Sequence, residues 1–104
     1  MKPDLIDAVW QHGRVVAQTD ETQWRQDACG AWMRREHYGR AGSDFGWKVE
    51  RVMAGGADTA ETLRPFNVGN GFDIANGRPR CAVTADRSNV PAEKYVFPPR
   101  NRAA

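Results

Sequence analysis

Histidine is scarce in this sequence: the 104-residue chain has two, His12 and His37. Any chemistry needing several imidazoles, as bases or metal ligands, therefore has little to draw on. Cysteine is equally sparse. Cys29 and Cys81 stand far apart with no CxxC spacing, which supports neither a zinc ribbon nor a disulfide framework. The expectation is two buried thiols in a reducing compartment. No apolar run approaches the ~20 residues of a membrane span. The opening Met1-Lys2-Pro3-Asp4-Leu5-Ile6-Asp7 places two aspartates where a secretion signal needs apolar residues, so the expected location is cytoplasmic and no membrane partner is expected. No strong excess of one charge sign exists either: the formal net charge is +2, too small to argue for nucleic acid from total charge.

Aromatic residues are present in strength, with four Trp, four Phe and two Tyr in a chain of single-domain length. Four tryptophans in so small a domain must largely build the core, Trp32 and Trp47 above all. Charge is unevenly distributed. Residues 1–77 hold nine Lys/Arg against eleven Asp/Glu, whereas 78–104 hold six against two. A mildly acidic body with a basic C-terminal segment suits an anionic partner, or a solubilising tail.

Along the chain, Asp4 offers a helix cap for residues 4–11, but Val9-Trp10 also suits a strand. Strand–turn–strand over about 8–18 is the favoured reading, through Gln11-His12-Gly13-Arg14. Thr19-Asp20-Glu21-Thr22 offers an N-cap for a short helical turn over about 22–28, which Gly30 ends. Strands are expected over Ala31–Arg35, over Gly46–Val52 by its alternation, and over Leu63–Phe66, with Pro65 marking an edge or an end. A short helix is expected over about 67–76 despite Gly69 and Gly71. Ala82-Val83-Thr84 is strand-like. Residues 87–104, basic and with Pro91, Pro98 and Pro99, read as an extended or disordered tail on which Tyr95, Val96 and Phe97 could dock locally. The fold class expected is α+β, a small single domain of short β-hairpins over residues 1–86.

One group of stretches carries a resemblance. Trp24-Arg25-Gln26-Asp27-Ala28-Cys29-Gly30-Ala31-Trp32-Met33, Tyr38-Gly39, Ser43-Asp44-Phe45-Gly46-Trp47-Lys48-Val49-Glu50-Arg51-Val52, Gly55-Gly56-Ala57-Asp58 and Leu63-Arg64-Pro65-Phe66-Asn67-Val68-Gly69-Asn70 follow one another in order and spacing. Together, over 24–77 or about half the chain, they resemble a bacterial group of HNH endonuclease domains. That resemblance implies a ββα element, a hairpin followed by a helix clasping one divalent metal. It also implies an Asp and a His as metal ligands, a His general base beside the Asp, and an Asn orienting that base. At those positions this chain holds Glu50 for the metal Asp, Arg51 for the base, Thr62 for the orienting Asn and Asn67 for the metal His. Asn70 matches an asparagine of the helix, and Gly71 replaces its neighbour.

The replacements change the chemistry. Guanidinium stays protonated near neutral pH, so Arg51 cannot act as a base. An amide oxygen is a far weaker transition-metal ligand than imidazole. Glu50 beside Arg51 is expected to pair with it where a metal would have sat. The resemblance thus points to a non-catalytic domain without a metal or other cofactor. Three functions compete. The first is binding of DNA or RNA through Arg51, Arg64, Arg78 and Arg80, with Gln26, Asn70 and Asn76 as polar contacts. The second is a protein-interaction, inhibitor or accessory role, with Trp24 or Tyr38 as contacts. The third is a divergent hydrolase with a rearranged site around Glu50, Asp58, Asn67 and Asp73.

Overall fold

The first secondary-structure element departs from the favoured reading. In a computed structural model, which describes residues 1–88, Val90 and 98–104, α1 runs Pro3–Trp10. Pro3 sits in the opening turn, where no backbone donor is needed, and Asp4 lies at the positive end of the helix dipole. Ile6, Val9 and Trp10 recur at helical spacing and face the core, which decides against a strand at Val9-Trp10. The expected strand–turn–strand over 8–18 does not form; Arg14 instead makes a single bridge to Gln26.

The helical turn expected over 22–28 is also replaced. The Asp20 carboxylate accepts from the Thr22 N–H and hydroxyl, and the Asp20 carbonyl accepts from the Gln23 and Trp24 N–H groups. That local turn closes after one step. The chain then extends into β1 (Trp24–Gln26), which pairs with β2 (Trp32–Arg34). A 3-10 turn at Arg35–His37 follows. β3 (Trp47–Arg51) and β4 (Leu63–Asn67) form the longest hairpin, in antiparallel register Trp47 to Asn67 and Glu50 to Arg64.

The helix expected over 67–76 does not form. The Asn67 carboxamide oxygen accepts from the Gly69 N–H and the Asn67 carbonyl accepts from Asn70, making a tight turn. The chain reverses into β5 (Gly71–Asp73), which pairs with β6 (Arg78–Arg80). Packing is close at both glycines, and tightest against the short, stiff Val83 side chain at Gly69. A Cβ on Gly69 would lie 2.6 Å from Val83 Cγ2, and one on Gly71 would lie 2.7 Å from Glu50 Oε1. The β3–β4 hairpin is therefore followed by a second hairpin, and a ββα element is not formed by residues 47–80.

β7 (Val83–Ala85) pairs with β8 (Asn101–Ala103), so the basic tail ends in a strand on the body of the domain. The Asn101 side chain fixes it: its oxygen accepts from the Trp32 N–H, and its amide donates to the Trp32 and Asp44 carbonyls. The expected docking by Tyr95, Val96 and Phe97 lies outside the described residues.

Among the described residues the chain is a small α+β domain of one α-helix and four two-stranded antiparallel hairpins. The core is aromatic in two parts. Trp10, Met33 and Trp47 pack with Ile6 and Val49 between α1 and β3–β4. Trp32 packs with Ala85, Trp24, Phe45 and Val16 beneath β7–β8. The opposite face of β3–β4 meets the β5–β6 hairpin, where Phe66 and Phe72 lie 6.3 Å apart.

The cysteines overturn their reading as buried thiols. Cys29 and Cys81 form a disulfide, with Cα atoms 5.4 Å apart and a sequence separation of 52. It ties the β1–β2 loop to the residue following β6. Such a bond persists in oxidising surroundings, which removes the argument from thiols to a reducing compartment. No helix among the described residues is long and apolar enough to cross a membrane.

Candidate functional site

The positions at which the resemblance implied chemistry serve the fold instead. Asn67 is 2% exposed. Its amide donates to the Trp32 carbonyl at 3.0 Å and the Asp44 carbonyl at 2.9 Å, and its oxygen accepts from Gly69. The Thr62 hydroxyl lies within hydrogen-bond distance of the Ala57 carbonyl and of both the carbonyl and N–H of Thr59, closing the loop before β4. Glu50 and Arg51 do not pair, because successive strand residues point to opposite faces. Glu50 turns to the β5–β6 hairpin, where it accepts from the Phe72 N–H at 3.3 Å and stands 3.9 Å from the Arg80 guanidinium. Arg51 pairs with Asp58 and donates to the Gly55 and Gly56 carbonyls.

The centre of this arrangement is Asp27, which sequence reasoning passed over. It is 2% exposed. Oδ1 accepts from the Cys29 and Ala31 N–H groups, and Oδ2 accepts from the Asn67 N–H and the Asn70 amide, all at 2.9 Å. Asn70 passes the connection on: its amide also donates to the Val83 carbonyl, while its oxygen accepts from the Ala82 and Val83 N–H groups. A buried carboxylate with four donors is electrostatically satisfied and joins three hairpins. Short side chains with oxygen acceptors, clustered near Gly30 and Gly71, are the signal that could have revealed it.

The acids proposed for a rearranged hydrolase site do not converge. Asp58 holds Arg51. Asp73 accepts from the Asn76 side chain and N–H at the β5–β6 turn, and these hydrogen bonds hold its carboxyl below the usual range. Among the described residues, no three His, Cys, Asp or Glu side chains gather closely enough to hold an ion.

The arginine candidates are likewise separated. Arg51 is committed to its loop. Arg78 and Arg80 lie on β6, Arg80 at a recess shared with Lys48 and Gly71. Arg64 borders a different feature, a cleft of about 440 Å³ between the α1–β1 connection and β4. Pro65, Phe66 and Phe72 give the cleft an apolar wall, and His12, Arg14, Gln26 and Arg64 give it polar groups. His12 shares a 2.7 Å hydrogen bond with the Ala60 carbonyl, which makes its Nε2 the donor. One nitrogen of the Arg64 guanidinium donates to the Ala60, Glu61 and Leu63 carbonyls. Among the described residues the only carboxylate lining this cleft is Asp27, whose oxygens are fully engaged.

A second cleft, of about 260 Å³, shares Arg14 and Gln26 with the first and is also lined by Arg87 and Thr84, with no acid among its described lining residues. Arg64 and Arg14 thus border one recess, and Arg14 and Arg87 its neighbour. Arg14 and Arg87 were not among the candidates. Their sequence neighbours, a turn and the start of a tail, give no sign that they meet across the fold. Trp24 and Tyr38, considered as protein contacts, are both engaged in aromatic packing, Trp24 on Trp32 and Phe45 and Tyr38 on Trp47.

Comparison of the chain with protein-family models, curated proteins and solved structures finds no match.

Proposed function

We propose that this domain is a non-catalytic nucleic-acid-binding module. The observation that carries the reading is that Arg64 and Arg14 line one cleft and Arg14 and Arg87 a neighbouring one, with no unengaged carboxylate among the described lining residues. Guanidinium groups spaced along a recess suit successive phosphates. Side-chain hydrogen bonds leave Arg14 without a protein partner among the described residues, so its charge is available to a ligand. Four acids, Asp7, Glu36, Glu50 and Asp58, pair with arginines other than Arg14, Arg64 and Arg87, so none of those pairs draws on the cleft arginines.

The resemblance over residues 24–77 fits a scaffold related to HNH domains that has exchanged its reactive positions for structural ones. Glu50, Arg51, Thr62 and Asn67 all have roles in holding loops and hairpins together. A protein-recognition role by strand addition is less well supported, since Pro65 removes an outward donor from the open edge of β4 and Asp27 takes that of Asn67.

Fluorescence anisotropy with labelled DNA and RNA at several salt concentrations tests the proposal. Three phosphate contacts predict a log–log slope of about −2 to −3. Absence of binding at low salt, or binding indifferent to salt, defeats the reading. In the same preparations, no cleavage dependent on Mg²⁺, Mn²⁺ or Ni²⁺ is expected, with Glu50→Ala as control.

A further inference from the structure

Gln26 stands apart from the other polar residues of the interior. It is 7% exposed, and its backbone N–H and carbonyl both pair with Arg14. Its side-chain amide, however, has no hydrogen-bond partner among the described residues, although it lines both clefts. Asp27, Asn67 and Asn70, its buried polar neighbours in the fold, are all fully engaged. The amide therefore sits at the wall of an open cleft within reach of solvent, a donor and an acceptor available to something that enters.

The remaining lining indicates what that is. Half-buried Phe72, with Phe66 and Pro65 behind it, makes an apolar flank. Arg64 and Arg14 supply positive charge at the same recess, and its volume of about 440 Å³ is of the order that takes a single small-molecule-sized group. An apolar flank, an amide with adjacent donor and acceptor, and two cations together match a planar heterocycle with hydrogen-bonding edges and a phosphate attached. Resting on the nucleic-acid reading above, we infer that this cleft seats one unpaired nucleobase of a single strand, edge-on to Gln26 and against Phe72, with its flanking phosphates on Arg64 and Arg14.

The geometry separates single strand from duplex. A base stacked and paired in a duplex has both faces and its pairing edge occupied, so it cannot enter such a recess without being flipped out. An unpaired base presents its face to an aromatic ring and its edge to an amide at no such cost. Arg87 in the adjoining cleft continues the track for the next phosphate.

The test uses the whole chain, a labelled single-stranded oligonucleotide and the duplex of the same sequence, with affinities from anisotropy and folding checked by thermal melts. The single strand is expected to bind at least about tenfold more tightly than the duplex. Gln26→Leu keeps the side-chain volume and breaks no side-chain hydrogen bond among the described residues, so it should fold about as well as the parent. It should weaken single-strand binding roughly 5- to 30-fold and leave duplex binding unchanged. Phe72→Leu should act in the same direction, and Arg14→Gln should weaken both ligands. Equal affinity for duplex and single strand, or single-strand affinity untouched by both Gln26→Leu and Phe72→Leu in folded protein, overturns the inference. If Arg14→Gln still weakens binding in that case, the broader reading survives without it. Adenosine monophosphate competing as effectively as the oligonucleotide assigns the cleft to a free nucleotide and also overturns it. No binding of any nucleic acid defeats both readings together.

Discussion

Replacing Cys29 and Cys81 together by serine, or reducing the native protein, should destabilise it severely. The bond joins residues 52 apart, and the loop-entropy relation for that separation gives about 4 kcal/mol at 25 °C. A domain of about this size is typically stable by only ~5–15 kcal/mol, so the loss is a large share of the total. Each kcal/mol moves the midpoint of a domain near 100 residues by about 4–8 °C, which places the expected fall in Tm on the order of 20 °C. Structure sharpens the expectation. Cys29 lies in the loop whose N–H groups bind Asp27, so loosening it also frees one end of the buried carboxylate network. Melts followed by circular dichroism, on oxidised, reduced and Cys29→Ser/Cys81→Ser protein, should show the last two agreeing with each other and far below the first. Alkylation of either cysteine in the native, unreduced protein would refute the pairing. A Tm difference under about 5 °C would refute the stabilisation argued from it.

Other perturbations should separate structural from ligand-facing roles. Asp27→Ala strands four donors in the interior and should lower stability by at least about 3 kcal/mol in chemical denaturation. Gly69→Ala places a methyl 2.6 Å from Val83 Cγ2 and should destabilise by about 1–3 kcal/mol, with partial recovery in the double variant carrying Val83→Ala. Arg51→Ala breaks a solvent-exposed ion pair and should change stability by less than about 1 kcal/mol while leaving nucleic-acid affinity unaltered, in contrast to Arg14→Gln. Hydrogen bonds from Asn76 depress the Asp73 carboxyl. Their support of the β5–β6 turn is therefore present above the ordinary aspartate value and lost as pH falls through the depressed one, and an NMR titration of Asp73 should show its midpoint rising in Asn76→Ala.

The strands with a clear two-residue alternation were legible in the sequence. Trp47-Lys48-Val49-Glu50-Arg51 alternates faces, and Leu63–Phe66 carries the edge signal of Pro65, so β3 and β4 fell within a residue of expectation. The N-terminal segment was readable both ways. Asp4 and the 6, 9, 10 spacing spoke for the helix that forms, while the β-branched neighbours drew the reading toward a strand. The segment 67–76 failed for a tertiary reason. Gly69 and Gly71 weaken any helix, but only the approach of Val83 and Glu50 shows how closely the fold packs on them. The disulfide and the docking of β8 are long-range events. A pair of cysteines 52 residues apart carries no local signature, and the Asn101 contacts depend on Trp32 and Asp44 already being in place.

The site was legible only as an absence. The resemblance drew attention to Glu50, Arg51, Thr62 and Asn67 as positions that differ from the HNH pattern and gave no account of what these residues do. Their contacts supply one. A metal ion bridging a strand and a helix would have joined two elements by coordination; here Asn67, Asn70 and Asp27 join β1–β2, β4 and β7 by hydrogen bonds, and a hairpin stands where a helix was expected. The residues at these positions are then mutually dependent. An imidazole at position 67 lacks the carboxamide's combination of two donors and one acceptor, and could not satisfy Trp32, Asp44 and Gly69 together. A histidine placed at position 67 would therefore remove a brace before it supplied a ligand. Ligand recognition, on the proposed reading, belongs to polar groups that the brace leaves unused. Gln26 and Arg14 are two whose side chains have no hydrogen-bond partner among the described residues.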